Sequence, residues 1–317
     1  MSQLFQRNRP VIAAYLLVIV LAIIGEIVAS GFLKVSNIDQ LIIEAAFIAL
    51  VALGQTFVIL VGGIDLSIPW VLNGAAVLLT TFAHGTNIKM AWLIPVLLAG
   101  GGMVGLINGL GVTLLKVPPI IMTLGMSSVV EGALLLYTKG GSGGNAPSGD
   151  VYLATHRWGP MPVVALVWVA VLAAATVSLS RTPFGRRLYA TGLSKRVSEF
   201  AGVNTGLVTA SVYVISGVGA ALTGIVLAGY VGQSYLGMGD PYLFSSVAAV
   251  AIGGASILGG SGNYVGTTAG ALVLALLAAI LPTLGLPQSA LEIVYGCVIL
   301  VAISVSSGQI GKRRESS

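Results

Sequence analysis

Apolar residues run along this chain in long unbroken stretches, not in the period-two alternation of a strand or the narrow stripe of a water-facing helix. Ten such runs stand out, at about 10–30, 39–61, 67–83, 91–115, 119–137, 161–179, 208–230, 242–258, 264–281 and 288–306. Most approach the roughly 20 residues that a helix needs to cross a bilayer. The run 67–83 is short and reads as a tilted or partly re-entrant segment. In hydrocarbon only helices and closed barrels satisfy every backbone polar group, and barrel strands would alternate over about ten residues. The pattern therefore predicts an all-α integral membrane protein with about ten transmembrane helices, forming a single transmembrane domain over 1–317.

Composition points the same way. Hydrophobic residues make up 56% of the 317 positions and charged residues 8%, with a mean hydropathy of +1.00. A soluble protein carries roughly 25% charged residues, so this chain cannot cover a water-facing surface. A single cysteine, Cys297, excludes a disulfide scaffold, and the 43 glycines lack a collagen period. The charges that remain report topology. With the N-terminus inside, Arg7, Arg9, Lys116, Arg181, Arg186, Arg187, Lys195, Arg196, Lys312, Arg313 and Arg314 fall on the cytoplasmic side. Only Lys34, Lys89, Lys139 and Arg157 fall outside, and an even span count leaves both termini inside. The net charge of +5 is then topological and implies no nucleic-acid partner. The first run also has the look of a signal-peptide core, but it resumes past Glu26 to spanning length.

Three interruptions carry information. The outer loop 138–160 contains Gly140-Gly141-Ser142-Gly143-Gly144, which fits either a floppy connector or a contact surface. In the inner segment 181–207, Thr182-Pro183-Phe184-Gly185 stops the sixth span. Ser194 then caps a short helix whose Val197, Phe200 and Ala201 share a face, and Gly202 follows where a left-handed residue is expected. That helix could lie on lipid or dock into a partner. The third is Gly62-Gly63-Ile64-Asp65-Leu66-Ser67, where glycines end one helix, Ser67 caps the next and Asp65 sits near its N-terminus. A tight turn at the membrane edge and a gate are both compatible with it.

Candidate chemistry is sparse. There is no GxxxxGK[ST], no HExxH and no GxSxG, and His84 and His156 are far apart, so no catalytic residue and no metal site is assigned. Polar residues inside the apolar runs are functional candidates by default: Glu26, Glu44, Gln55, Asn73, Asn108, Glu131 and Glu292. Gln55, Asn73 and Asn108 suit a translocation path for a neutral polyhydroxylated solute. Asn108 lies within Gly105-Leu106-Ile107-Asn108-Gly109, where small residues let helices approach closely. The acids do not form a series across the bilayer, which argues against a proton-coupled carrier.

Several stretches together resemble the ribose/xylose/arabinose-type ABC importer permeases. These are Gly54-Gln55-Thr56-Phe57-Val58-Ile59-Leu60-Val61 running into the Gly62–Ser67 motif, Val117 to Gly125, Thr182 to Gly192 with Ala201-Gly202-Val203, and Val250 to Gly260. The resemblance spans about 37–305. It implies a type II importer permease in a bacterial inner membrane. The partners it implies are a second permease copy, a separate ABC ATPase subunit that holds ATP and Mg, and a periplasmic sugar-binding protein. This chain would bind no cofactor itself. It also implies that Arg186, Gly192, Ser194, Val197, Phe200, Ala201 and Gly202 form the segment that couples to the ATPase. Gly62, Gly63, Asp65 and Ser67 would form the gate or turn. The chain departs from the family pattern at Ile68-Pro69-Trp70, Leu243-Phe244-Ser245, Glu131 and Gly192-Leu193-Ser194.

Overall fold

The computed structural model describes residues 2–83, 85–141, 144–159 and 161–315, with side chains described from 9 to 304 of these. His84, Ser142, Gly143 and Pro160 lie outside the described residues, as do the side chains of Arg7, Lys312, Arg313 and Arg314. The chain opens with α1 (Ser2–Val28), α2 (Val35–Leu60), α3 (Ile68–Ala83), α4 (Asn87–Thr113) and α5 (Pro119–Thr138). A connecting region follows, with β1 (Gly144–Asn145), α6 (Ser148–Thr155), β2 (Arg157–Trp158) and β3 (Met161–Pro162). Then come α7 (Val163–Arg181), α8 (Pro183–Leu193), α9 (Lys195–Phe200), α10 (Thr205–Val231) and β4 (Gln233–Ser234). The last elements are α11 (Tyr242–Ile252), α12 (Tyr264–Thr283) and α13 (Gln288–Glu315).

Among the described residues, seven helices are long and apolar enough to cross a membrane, and α3, α11 and the apolar part of α13 are shorter. The ten apolar runs thus appear as ten apolar helices, but they do not all have spanning length. The run 242–258 changes most. Its helix stops at Ile252 because Gly254 adopts φ +83°, and residues 253–263 fold as a glycine-rich loop. At 1.5 Å per residue the 11 residues of α11 reach only about 16 Å, roughly half the hydrocarbon thickness.

Helix α10 is the centre of the bundle, packed against α2, α3 and α4, while α12 packs on α2, α11 and α1. The sequence allows this closeness by putting glycine at the crossings. On α4, Gly101, Gly105 and Gly109 recur every four residues and so share one face. A Cβ at Gly101 would strike the Gly217 carbonyl, one at Gly105 the Tyr213 carbonyl, and one at Gly109 would stand 2.6 Å from the Ala210 Cα. Gly54 on α2 meets the Ser216 Cα, and Gly224 on α10 meets the Leu72 carbonyl. Without a hydrophobic driving force between spans, such backbone-to-backbone packing is what holds membrane helices together. By contrast α1 and α5 leave most of their apolar surface exposed, as lipid or another membrane chain would require.

The loop 138–160 is not a floppy connector beyond its glycines. Strand β1 pairs antiparallel with β4, and β2 with β3. Asn87 Oδ1 accepts from the Gly149 N–H at 2.7 Å, and Arg157 forms a half-exposed ion pair with Asp39 at 2.6 Å. Asp150 in α6 packs against Gly229 of α10, and burial pushes its carboxyl up to about 7. The glycine run gave no sign of this order, since it depends on contacts with Asp39, Asn87 and Ser234, which are distant in sequence.

Candidate functional site

Two of the three interruptions read in the sequence meet at one end of the bundle. The Gly62–Ser67 turn joins α2 to α3 with Gly62 exposed but its polar side chains enclosed: Asp65 and Ser67 are each 1% exposed. Asp65 Oδ1 accepts from the Ser67 N–H at 3.0 Å and from its hydroxyl at 2.6 Å, and Oδ2 accepts from the Ser216 hydroxyl of α10 at 2.7 Å. Ser67 therefore gives its hydroxyl to Asp65 and does not cap α3 with it. The Asn108 amide of α4 donates to Ser67 Oγ at 2.9 Å. From α5, Thr123 Oγ1 accepts from the Leu66 N–H at 3.0 Å and donates to the Ile64 carbonyl. One six-residue turn is thus tied to α4, α5 and α10. The Tyr213 hydroxyl lies over Gly63, so close that a Cβ there would approach it to 2.6 Å.

The second part of this end is the segment 181–207. The sequence suggested one short helix, but the structure has two. Thr182 Oγ1 caps α8 by accepting from the Gly185 N–H at 3.2 Å, with Pro183 in the first turn where its missing N–H costs nothing. Leu188 of α8 is buried while Arg186 and Arg187 are exposed. Helix α9 follows with the expected boundaries. Ser194 Oγ accepts from the Val197 N–H at 3.4 Å, Gly202 adopts φ +79°, and Glu199 accepts from the Thr205 hydroxyl at 2.6 Å. Val197 and Phe200 are 65% and 82% exposed, flanked by exposed Ala201, Leu193 and Leu207. The Arg196 guanidinium stands 6.0 Å from the Phe200 ring centre. A capped helix thus presents an exposed apolar cluster with Arg196 beside Phe200.

Gly192 behaves differently from its neighbours. A Cβ there would run into the Leu60 carbonyl and stand 2.6 Å from the Gly260 nitrogen, so it faces the bundle and not the outside. The Gly260 N–H donates to that same Leu60 carbonyl at 2.9 Å, and the Tyr189 hydroxyl donates to the Gly262 carbonyl at 2.7 Å. The end of α8, the end of α2 and the loop 253–263 therefore join backbone to backbone.

The three expected path residues separate. Asn108 belongs to the Asp65 cluster. Asn73 lies toward the opposite end, where its amide donates to the Tyr235 carbonyl at 2.9 Å and accepts from the Gly237 N–H at 2.6 Å, fixing the loop before α11. Gln55 is fully buried, and neither its nitrogen nor its oxygen has a hydrogen-bond partner. Ser216 escaped the sequence reading, because a lone hydroxyl in an apolar run carries no positional signal, and Thr123 and Tyr189 lay in stretches that carried the family resemblance without being given a role of their own. Among the described residues no group of three or more His, Cys, Asp or Glu could hold a metal ion.

A polar turn is thus wired to several apolar helices, beside a short capped helix with an exposed apolar surface. The chain belongs to the family described as branched-chain amino acid transport system / permease component, whose model matches residues 37–303. Among its relatives, the ribose import permease protein RbsC of Bacillus subtilis (strain 168) is 33% identical over 301 residues, covering 94% of this chain and 92% of that protein. RbsC of Haemophilus influenzae is 30% identical over 294 residues, covering 92% and 91%. The autoinducer 2 import system permease protein LsrC of Escherichia coli (strain K12 / DH10B) is 31% identical over 313 residues, covering 98% and 90%. No solved structure matches the chain. The protein is a multi-pass membrane permease component.

Proposed function

We propose that this chain is the membrane-spanning subunit of an ATP-driven importer for a sugar or a related polyhydroxylated solute. The names of its relatives, ribose import permease and autoinducer 2 import system permease, support that solute class. The observation that carries the coupling is the exposed pair Val197 and Phe200 on a helix capped at both ends. A hydrophobic anchor held rigid is suited to docking, since little entropy remains to be lost on binding. On this reading the end bearing α8 and α9 faces the cytoplasm of a bacterial inner membrane, with both termini on that side. The α6 end faces a periplasmic sugar-binding protein, and two permease copies form the pore.

The ATPase partner supplies ATP and Mg²⁺ binding, and this chain contributes the levers. Val197 and Phe200 take the docking contact with Arg196 beside them, exposed Arg186 on α8 adds a charge to the same segment, and Ser194 and Gly202 fix the helix ends. Gln55 is the best supported of the path residues, because a buried amide without a protein partner calls for water or solute hydroxyls. Asn73 and Asn108 have intramolecular duties instead. The test is reconstitution of the chain in proteoliposomes with the ATPase and binding protein encoded beside it, using a panel of pentoses, hexoses and polyols. Uptake that needs ATP and loaded binding protein supports the reading. Uptake by the chain alone, indifferent to ATP, would make it a stand-alone carrier or channel.

A further inference from the structure

The apolar surface of α9 faces outward, yet any displacement of it must reach the spans to change their arrangement. Besides the direct link of α9 to α10 through Glu199 and Thr205, a stiff route runs back through α8. Gly192 lies in the last turn of α8, two residues before the Ser194 cap, and the Ser194 N–H donates to the Ala190 carbonyl at 3.1 Å, so α8 and α9 are directly joined. The inward side of Gly192 touches the Leu60 carbonyl, the final residue of α2, and the backbone of Gly260. A Cβ at Gly259 would stand 2.8 Å from the Gly62 nitrogen and 3.2 Å from the Gly192 carbonyl. Four glycines therefore bring three backbone segments together without intervening side chains. Where side chains form a contact they can change rotamer and absorb a shift, whereas close-packed backbone atoms transmit it. Beyond Leu60 the turn continues into Asp65, Leu66 and Ser67, which hold α10, α4 and α5 through Ser216, Asn108 and Thr123.

We propose that Gly192 is a positioning residue for transport. Seated against Leu60 and Gly260, and steadied by the Tyr189 hydroxyl on Gly262, it forms a rigid joint that passes motion of α9 to the Gly62–Ser67 turn. This rests on the reading of α9 as the docking helix. It goes beyond that reading in naming where the motion enters the bundle. Because Gly192 faces inward, changing it leaves the Val197–Phe200 surface in place.

The experiment compares Gly192→Ala, Tyr189→Phe and Gly270→Ala in the reconstituted complex. Gly270→Ala introduces a similar backbone clash, against the Ala249 carbonyl, but between α12 and α11 and off the proposed route. For each variant the ATPase that co-purifies, the stimulation of ATP hydrolysis by loaded binding protein, and sugar uptake are measured. Gly192→Ala is expected to retain the ATPase while uptake and stimulation fall about tenfold, within the range that residues along a coupling route produce. Tyr189→Phe removes one hydrogen bond without adding bulk, and is expected to lower both about threefold. If Gly192→Ala fails to assemble, Tyr189→Phe carries the test. Normal uptake and stimulation in both variants that assemble would overturn the proposal, as would an equal selective loss in Gly270→Ala. Loss of ATPase binding in Phe200→Ala alongside normal transport in Gly192→Ala would leave the docking helix standing and remove only the joint.

Discussion

The Ser216 hydroxyl crosses 151 positions of sequence to reach Asp65, and Ser216→Ala isolates that single bond. Alanine fits the site, since it keeps the Cβ and removes only the hydroxyl oxygen. Asp65 is then left with two donors instead of three, both from Ser67. A hydrogen bond contributes about 0.5–1.5 kcal/mol, and about 1.5–3 kcal/mol to a charged group, and this carboxyl is only 1% exposed. Ser216→Ala should therefore destabilise the bundle by about 2 kcal/mol. A control on the same helix, Ser211→Ala, removes an exposed hydroxyl bonded to its own Leu207 carbonyl and should stay within about 0.5 kcal/mol of wild type. Combining Ser216→Ala with Asp65→Asn closes a double-mutant cycle, read by unfolding of the chain in mixed micelles as SDS is added. Direct contact predicts an interaction energy on the order of 1–3 kcal/mol. If the two changes add to within about 0.5 kcal/mol, the turn is not fastened to α10 by this bond, and the account of the polar cluster is wrong.

Gly105→Val places a branched side chain against the Tyr213 carbonyl and should cost at least about 1–3 kcal/mol, whereas Gly100→Ala, with open space around it, should be neutral or stabilising. Chemical unfolding of the two variants side by side checks this. Asp150 is buried with one carboxylate oxygen unpartnered, and its folded pKa of about 7 lies above the ordinary value of 3.8. Between those values the folded state holds a proton that the unfolded state has lost, so stability should fall as pH rises from about 4 to 7, by a total on the order of 4 kcal/mol. Asp150→Asn should flatten that slope, as measured by melting midpoints across the range. Gln55→Leu strips an amide that no protein atom satisfies, so stability should hold while sugar uptake drops severalfold; Asn73→Leu should do the reverse, lowering stability first.

The spans were legible because lipid imposes length and apolarity on every crossing, and α2, α4, α7, α10 and α12 sit close to their sequence runs. Helix α9 was legible for a different reason. Ser194, Gly202 and the spacing of Val197 and Phe200 are local signals, and local signals survive folding. What escaped depends on tertiary contact. Nothing near Asp65 in the sequence says that Ser216 and Asn108 will gather around it, so the buried polar cluster within this turn was not legible. Thr182-Pro183-Phe184-Gly185 does stop the sixth run, since α7 ends at Arg181, but the helix α8 that starts there was not foreseen: Pro183 occupies its first turn and Gly185 lies against the Leu179 carbonyl. The resemblance placed Gly192 in the segment that couples to the ATPase, and only the fold shows that it faces the bundle.

The most direct measurement is ATPase co-purification with Phe200→Ala in the assembled complex. A central aromatic anchor in an interface typically costs about 2 kcal/mol or more on truncation, which is roughly a thirtyfold weaker docking equilibrium. The docking account predicts that the ATPase is lost on washing and that loaded binding protein no longer stimulates hydrolysis, while the permease itself stays folded. Full co-purification with normal stimulation would contradict it and return α9 to the lipid surface.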